Sequence, residues 1–225
     1  MVGINNHTEV HDATSQVDVY NRVYKSLNEG GEQRLYFSET PLKGVIEFEK
    51  TLPDRNNKKL LDIGSGAGRH SILFAKKGYN VTGIESSIEG IKYAKRLCGK
   101  EGLKIKFLCK DFLNYKVNKQ FDIILDVGCL HHNVKDWKVY CSKISSLLRK
   151  DGILFLYEFS SKTKKFLGRK VSDSNNLIVT DNGKHFSYFF RKGELKKMFS
   201  NLEIIFERQT YRNGRYYDLL CLKKN

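Results

Sequence analysis

Apolar and polar positions change rhythm twice along the 225-residue chain. In residues 17–28, VDVYNRVYKSLN, the positions Val19, Val23 and Leu27 recur with Tyr20 and Tyr24 at three- and four-residue spacing, which predicts an amphipathic helix. Residues 1–17 are polar and expected to fray. A second helix, LKGVIEFEKTL, is expected after Pro41 and ends at Pro53. The pattern then alternates. Short apolar strands are predicted at 59–63 (KLLDI), 80–85 (NVTGIE), 104–111 (KIKFLCKD), 121–128 (FDIILDVG) and 152–160 (GILFLYEFS). Between them lie helical stretches at 67–78, 87–99 and 134–150. FDIILDVG is apolar almost throughout, as expected of a strand buried on both faces.

This βαβα order predicts a Rossmann-like, doubly wound α/β sheet. After Ser160 the rhythm stops, and residues 161–187 read as polar and irregular, a lid or insertion at the sheet's carboxyl edge. A helix at 192–201 follows. LEIIFERQTYRNGRYYDLLCLKK then reads as two strands joined by Asn213-Gly214, a strong hairpin signal. The expectation is one domain over 1–225 with a seven-stranded, mostly parallel sheet and a C-terminal antiparallel hairpin. It divides into a helical cap (1–55), a core (56–160), and the lid and hairpin (161–225). The aromatics of HFSYFF (185–190) could line the lid, but are expected to pack on the core as strand or helix.

Composition changes this picture little. Hydrophobic residues at 40% and charged residues at 29% are those of a globular protein. No apolar run is long enough for a membrane span, and the polar N-terminus has no secretory h-region, so the protein is expected to be cytoplasmic, a monomer or homodimer. Cys98, Cys109, Cys129, Cys141 and Cys221 are far apart and form no CxxC pair, so neither a zinc cluster nor a disulfide framework is expected. The net charge of +15 attracts anions, nucleic acid among them. The lysines, however, come as scattered doublets such as Lys58-Lys59 and Lys196-Lys197, the pattern of a solvated surface.

The chemistry concentrates after the first strand, in LLDIGSGAGRH (60–70). Gly64, Gly66 and Gly68 are one residue tighter than the G-x-G-x-x-G of a dinucleotide site, where a pyrophosphate rests on a helix N-terminus. Asp62 precedes the loop and Glu85 ends the second strand. A carboxylate at Glu85 can accept from both ribose hydroxyls. Asp62 would lie awkwardly near a pyrophosphate but favourably near an ammonium and a sulfonium; its alternative is a cap or a bond to loop N–H groups. Arg69 is expected to pack in the loop or pair with a local acid.

On these residues the chain resembles the class I S-adenosylmethionine-dependent methyltransferases. LLDIGSGAGRHSILFAKKGYNVTGIESS is similar to their first motif and following strand, and the likeness runs over 59–160. It implies that Asp62, Gly64, Ser65, Gly66 and Gly68 line the methionine part of the cofactor. Glu85 would hold the ribose, with Ser86 and Ser87 beside it. Asp111 would meet the adenine amine and Phe112 would wall the ring. Asp126, Val127, Gly128 and Leu130 would border the cofactor and acceptor pocket, and S-adenosylhomocysteine would be the product.

Methyl transfer from a sulfonium is an in-line displacement, so the enzyme chiefly aligns the acceptor and excludes water. No Asn-Pro-Pro-Tyr or Asp-Pro-Pro-Tyr tetrapeptide follows the fourth strand. DVGCLHH instead resembles a small-molecule group related to the thiopurine, tellurite and halide or thiol enzymes, whose pockets an N-terminal helix closes. That implies a small-molecule acceptor, with Tyr20 and Tyr24 facing the cofactor. His131 and His132 are the candidate catalytic residues, since a neutral imidazole can take the acceptor's proton. Alternatively one packs on the cofactor and the other caps the next helix. Two adjacent histidines without a nearby ligand set make no metal site. Tyr157 and Glu158, near the carboxyl end of the fifth strand, could reach the acceptor. Three other readings compete: a tRNA or rRNA methyltransferase using the basic surface, a non-catalytic cofactor-binding partner subunit, and a dehydrogenase.

Overall fold

The computed structural model describes residues 13–31, 38–53, 56–166, 169–171, 176–180 and 185–225. Helices α1 (Ala13–Asn28) and α2 (Lys43–Thr51) come first. Then follow β1 (Lys59–Ile63), α3 (Arg69–Lys76), β2 (Asn80–Glu85), α4 (Ile88–Lys100), β3 (Lys106–Cys109) and β4 (Phe121–Val127). Helix α5 (Trp137–Leu147) leads into β5 (Leu148–Phe159). The short pairs β6 (Lys165–Phe166) with β7 (Arg169–Lys170), and β8 (Leu177–Thr180) with β9 (His185–Tyr188), precede α6 (Glu194–Met198) and the hairpin β10 (Glu203–Arg212) and β11 (Arg215–Lys223).

The seven-stranded sheet runs β10-β11-β5-β4-β1-β2-β3. The pairs among β1 to β5 are parallel, and β11 is antiparallel to both its neighbours. Asn213 (φ 49°) and Gly214 (φ 77°) close the hairpin with the two left-handed residues a tight two-residue turn requires.

Alternate residues of the central strands enter opposite cores, the period-two consequence of the pleat. Leu61, Ile63, Ile124, Leu154 and Leu156 pack on the face of Tyr140, Ile144 and Phe199. Leu60, Ile123, Leu125 and Phe155 pack on the opposite face against Val45, Phe48 and Phe74. Both faces are covered, which is why β4 is apolar apart from Asp122 and Asp126.

Four expectations need correction. Helicity begins at Ala13, inside the stretch expected to fray; residues 1–12 lie outside the described residues. In place of the helix expected over 134–150 there is a 3₁₀ turn, Val134–Asp136, followed by α5, and a further 3₁₀ turn, Leu130–His132, precedes them. Leu148 belongs to β5 because it pairs with Phe121, and the register then shifts before Ile153 meets Ile123, with Asp151 left-handed (φ 60°) in between. The stretch 161–187 is not irregular but carries the two short antiparallel pairs. Of the HFSYFF aromatics, Phe189 and Phe190 are fully buried.

Candidate active site

The carboxyl ends of β1, β2, β4 and β5 meet at one cavity of about 1160 Å³, and helix α1 and the β10–β11 turn also line it. Sheets of this kind form such a crevice where neighbouring strands part to opposite sides.

The floor is the glycine loop. Gly64 has φ 65° and Gly66 φ 53°, a region that disfavours a Cβ. Space forbids one as well. A Cβ on Gly64 would lie 2.8 Å from Cys129 Sγ, and one on Gly66 would strike the Tyr24 hydroxyl. Glu85 ties this loop to the next: Oε2 accepts from Gly66 N at 3.0 Å and Oε1 from Ser87 N at 2.8 Å. Burial pushes the Glu85 carboxyl above its usual range, while those N–H bonds oppose the shift. Ser65 lines the cavity, and its buried hydroxyl has no hydrogen-bond partner among the described residues.

Helix α1 closes the top. Asn21 Oδ1 accepts from Ser87 Oγ at 2.7 Å, and Asn28 Nδ2 donates to Glu89 O at 3.2 Å, which fastens α1 to the start of α4. The Tyr20 hydroxyl reaches His132 Nε2 at 2.6 Å, which straps the helix to the loop after β4. Ser87 itself caps α4, accepting from Gly90 N.

Asp111 and Phe112 line the wall after β3. Asp111 Oδ1 accepts from Asn114 N, and Lys143 Nζ donates to the carbonyls of Phe112, Leu113 and Tyr115, fixing that turn from α5. Phe112 meets Tyr140 edge-on at 4.9 Å between centroids.

His131 is buried and its Nδ1 lies 2.7 Å from Glu158 Oε2. Glu158 Oε1 accepts from Leu130 N, and Asp126 Oδ1 accepts from Cys129 N and Leu130 N. Tyr140 donates to Asp126 Oδ2 at 2.7 Å. Two carboxyls without solvent thus hold one loop. Burial first, and then their mutual field, raise Asp126 well above the carboxylate range; burial raises Glu158 to about 8. Such a pair keeps a proton at neutral pH.

Most of the residues singled out in the sequence converge here: Tyr20, Tyr24, Gly64, Ser65, Gly66, Glu85, Ser86, Asp111, Phe112, Val127, Gly128, His131 and His132 all line the cavity. Four lie behind it. Asp62 is 1% exposed and accepts from Ser71 Oγ of α3 at 2.6 Å. Gly68 starts α3, and Asp126 and Leu130 support the loop from the core. Asp136 is the residue before α5, and the two histidine rings bond partners from distant elements. Arg69 Nη1 donates to the Ser38 and Thr40 carbonyls at 3.3 and 3.4 Å. The sequence reading did not place Arg212, Tyr217, Phe159 or Phe166 at this site. Only the Asn-Gly turn, which folds the hairpin tip back over β5, could have signalled them.

Residues 60–152 match the family described as methyltransferase domain. The ubiquinone biosynthesis O-methyltransferase of Pelagibacter ubique is 32% identical over 150 residues, covering 65% of this chain and 61% of that protein. Human EEF1A lysine methyltransferase 2 is 28% identical over 186 residues, 78% of each chain. Among solved structures, Burkholderia thailandensis 1,6-didemethyltoxoflavin-N1-methyltransferase, crystallised with its acceptor and S-adenosylhomocysteine, superposes with a TM-score of 0.74 at 19% identity. That match covers 99% of this chain and 93% of the other. Residues 60–152 are thus similar to a methyltransferase domain. The chain spans about 61% of the length of the Pelagibacter relative. The donors fit S-adenosylmethionine: a carboxylate beside the loop, glycines with no room for a Cβ, and a buried hydroxyl with its bond unmade.

Proposed function

We propose that the protein transfers a methyl group from S-adenosylmethionine to a small-molecule acceptor held between His131 and the β10–β11 turn. The His131–Glu158 pair, at 2.7 Å on the wall of an α1-covered cavity, carries this reading. The cofactor supplies an electrophilic methyl on a sulfonium. Glu85 would hold its ribose, the Gly64–Gly66 backbone its methionine part, and Asp111 with Phe112 its adenine.

The remaining work belongs to the chain. Helix α1 and the Tyr20–His132 bond exclude water, which strengthens every polar interaction inside. Glu158 accepts from the Nδ1–H of His131, which fixes that tautomer and leaves Nε2 basic. Nε2 is then the group that takes the acceptor's proton, a contribution typically worth about 10²–10⁴ in rate. The cavity volume slightly exceeds the roughly 300–1,000 Å³ usual for small-ligand pockets, which suits a cofactor and a second small molecule together.

A protein lysine acceptor is the second reading, favoured by the name of the human relative. The lining speaks against it. Arg22, Arg69, Lys110, Lys135, Arg212 and Arg215 face Glu85, Asp111 and Asp136, a basic balance that repels an ammonium.

Incubating the protein with methyl-labelled S-adenosylmethionine and fractionated cell extract separates these readings. Label is expected in the small-molecule fraction; label confined to protein or RNA overturns the proposal.

A further inference from the structure

We infer that the acceptor is an anionic, planar molecule: its acidic group rests on Arg69 and Arg212 and its ring on the aromatic wall formed by Tyr157, Tyr217 and Phe159. This inference deepens the proposed methyl transfer and rests on that reading.

Arg69 enters the cavity from the first residue of α3 and Arg212 from the last residue of β10. Neither forms an ion pair among the described residues. Both are half-buried, and each bears on the same Tyr157 hydroxyl, as well as on one another as like charges. The Asp62 carboxyl bears on Arg69 from behind the loop, but it is buried, bonded to Ser71 Oγ and raised to about 7, so it does not neutralise the guanidinium fully. Two incompletely compensated guanidiniums held together in a partly desolvated cavity are costly alone and favourable around an anion.

The wall between them and His131 is continuous. Tyr157 and Tyr217 rings lie 4.9 Å apart, Tyr217 and Phe159 5.2 Å, and Phe159 and His131 4.7 Å. Ring contacts of that spacing favour an aromatic guest over an aliphatic one. An acceptor seated with its acid on the arginines thus presents its far end to the imidazole.

The test measures binding of three matched probes to protein saturated with S-adenosylhomocysteine: 4-hydroxybenzoate, its methyl ester, and 4-(aminomethyl)phenol. The acid is expected to bind about 10- to 100-fold tighter than the ester, the value of one or two charge-assisted hydrogen bonds, and the amine weakest. Arg212→Gln should reduce the preference to about threefold or less while S-adenosylhomocysteine binds as before, since the Arg69 bonds to Ser38 and Thr40 are untouched. If the loaded wild-type protein binds the acid no tighter than the ester, or binds none of the three, the inference is overturned. Failure of S-adenosylhomocysteine to bind at all would instead overturn the methyltransferase reading.

Discussion

His131 Nδ1 and Glu158 Oε2 stand 2.7 Å apart in a pocket that leaves Glu158 no solvent exposure. Glu158 orients the ring through Nδ1. His131→Ala should lower kcat by about 10²-fold or more with S-adenosylhomocysteine affinity largely kept. Glu158→Gln keeps the side chain's size, but its amide can donate to or accept from Nδ1 and no longer fixes the tautomer, so kcat should fall with S-adenosylhomocysteine affinity kept. An unchanged kcat would leave Glu158 a structural role only.

The strap over the cavity is testable by itself. Tyr20→Phe removes the hydroxyl bonded to His132 Nε2 and leaves the ring in place. A net hydrogen bond is worth about 0.5–1.5 kcal/mol, so S-adenosylhomocysteine should dissociate about 2- to 10-fold faster in stopped-flow experiments. An unchanged off-rate would mean that α1 does not gate release.

At Gly66 the backbone is left-handed and the Tyr24 hydroxyl occupies the space of a Cβ. Gly66→Ala should cost about 1–3 kcal/mol through strain and displacement of Tyr24. Thermal unfolding should show the loss, and cofactor affinity should fall with it.

Asp62 supplies a pH dependence. Burial, the largest effect, raises it from 3.8 to about 7. Between those values the native carboxyl keeps a proton that the unfolded chain has released. Its contribution to stability is complete below about pH 4 and declines as pH rises toward 7, with a slope of at most about 1.4 kcal/mol per pH unit. Asp62→Asn keeps a partner for Ser71 and cannot titrate. Denaturant unfolding of the variant should fall less between pH 4.5 and 7 than that of the wild type, roughly by that slope; parallel curves would refute the buried proton.

The core strands were legible because burial on both faces leaves a mostly apolar signature, and Asn213-Gly214 has few uses besides a tight turn. The end of α5 was not legible. Leu147 and Leu148 are both buried, and only the pairing of Leu148 with Phe121 makes the second one a strand residue. The cavity's glycine loop and Glu85 were local and readable. The support of His131 by Glu158, 27 residues away, depends on β5 lying beside β4, which periodicity does not encode. Arg212 reaches the site only because β11 reverses direction next to β5.

The central claim is that the loop from Gly64 to Gly68 holds S-adenosylmethionine without any phosphate. Calorimetric titration of native protein with S-adenosylhomocysteine tests it most directly. The account predicts binding at one site per chain, weakened at least about tenfold by Glu85→Ala and unaffected by excess NAD. No detectable binding to the native protein, or displacement by NAD, would contradict it.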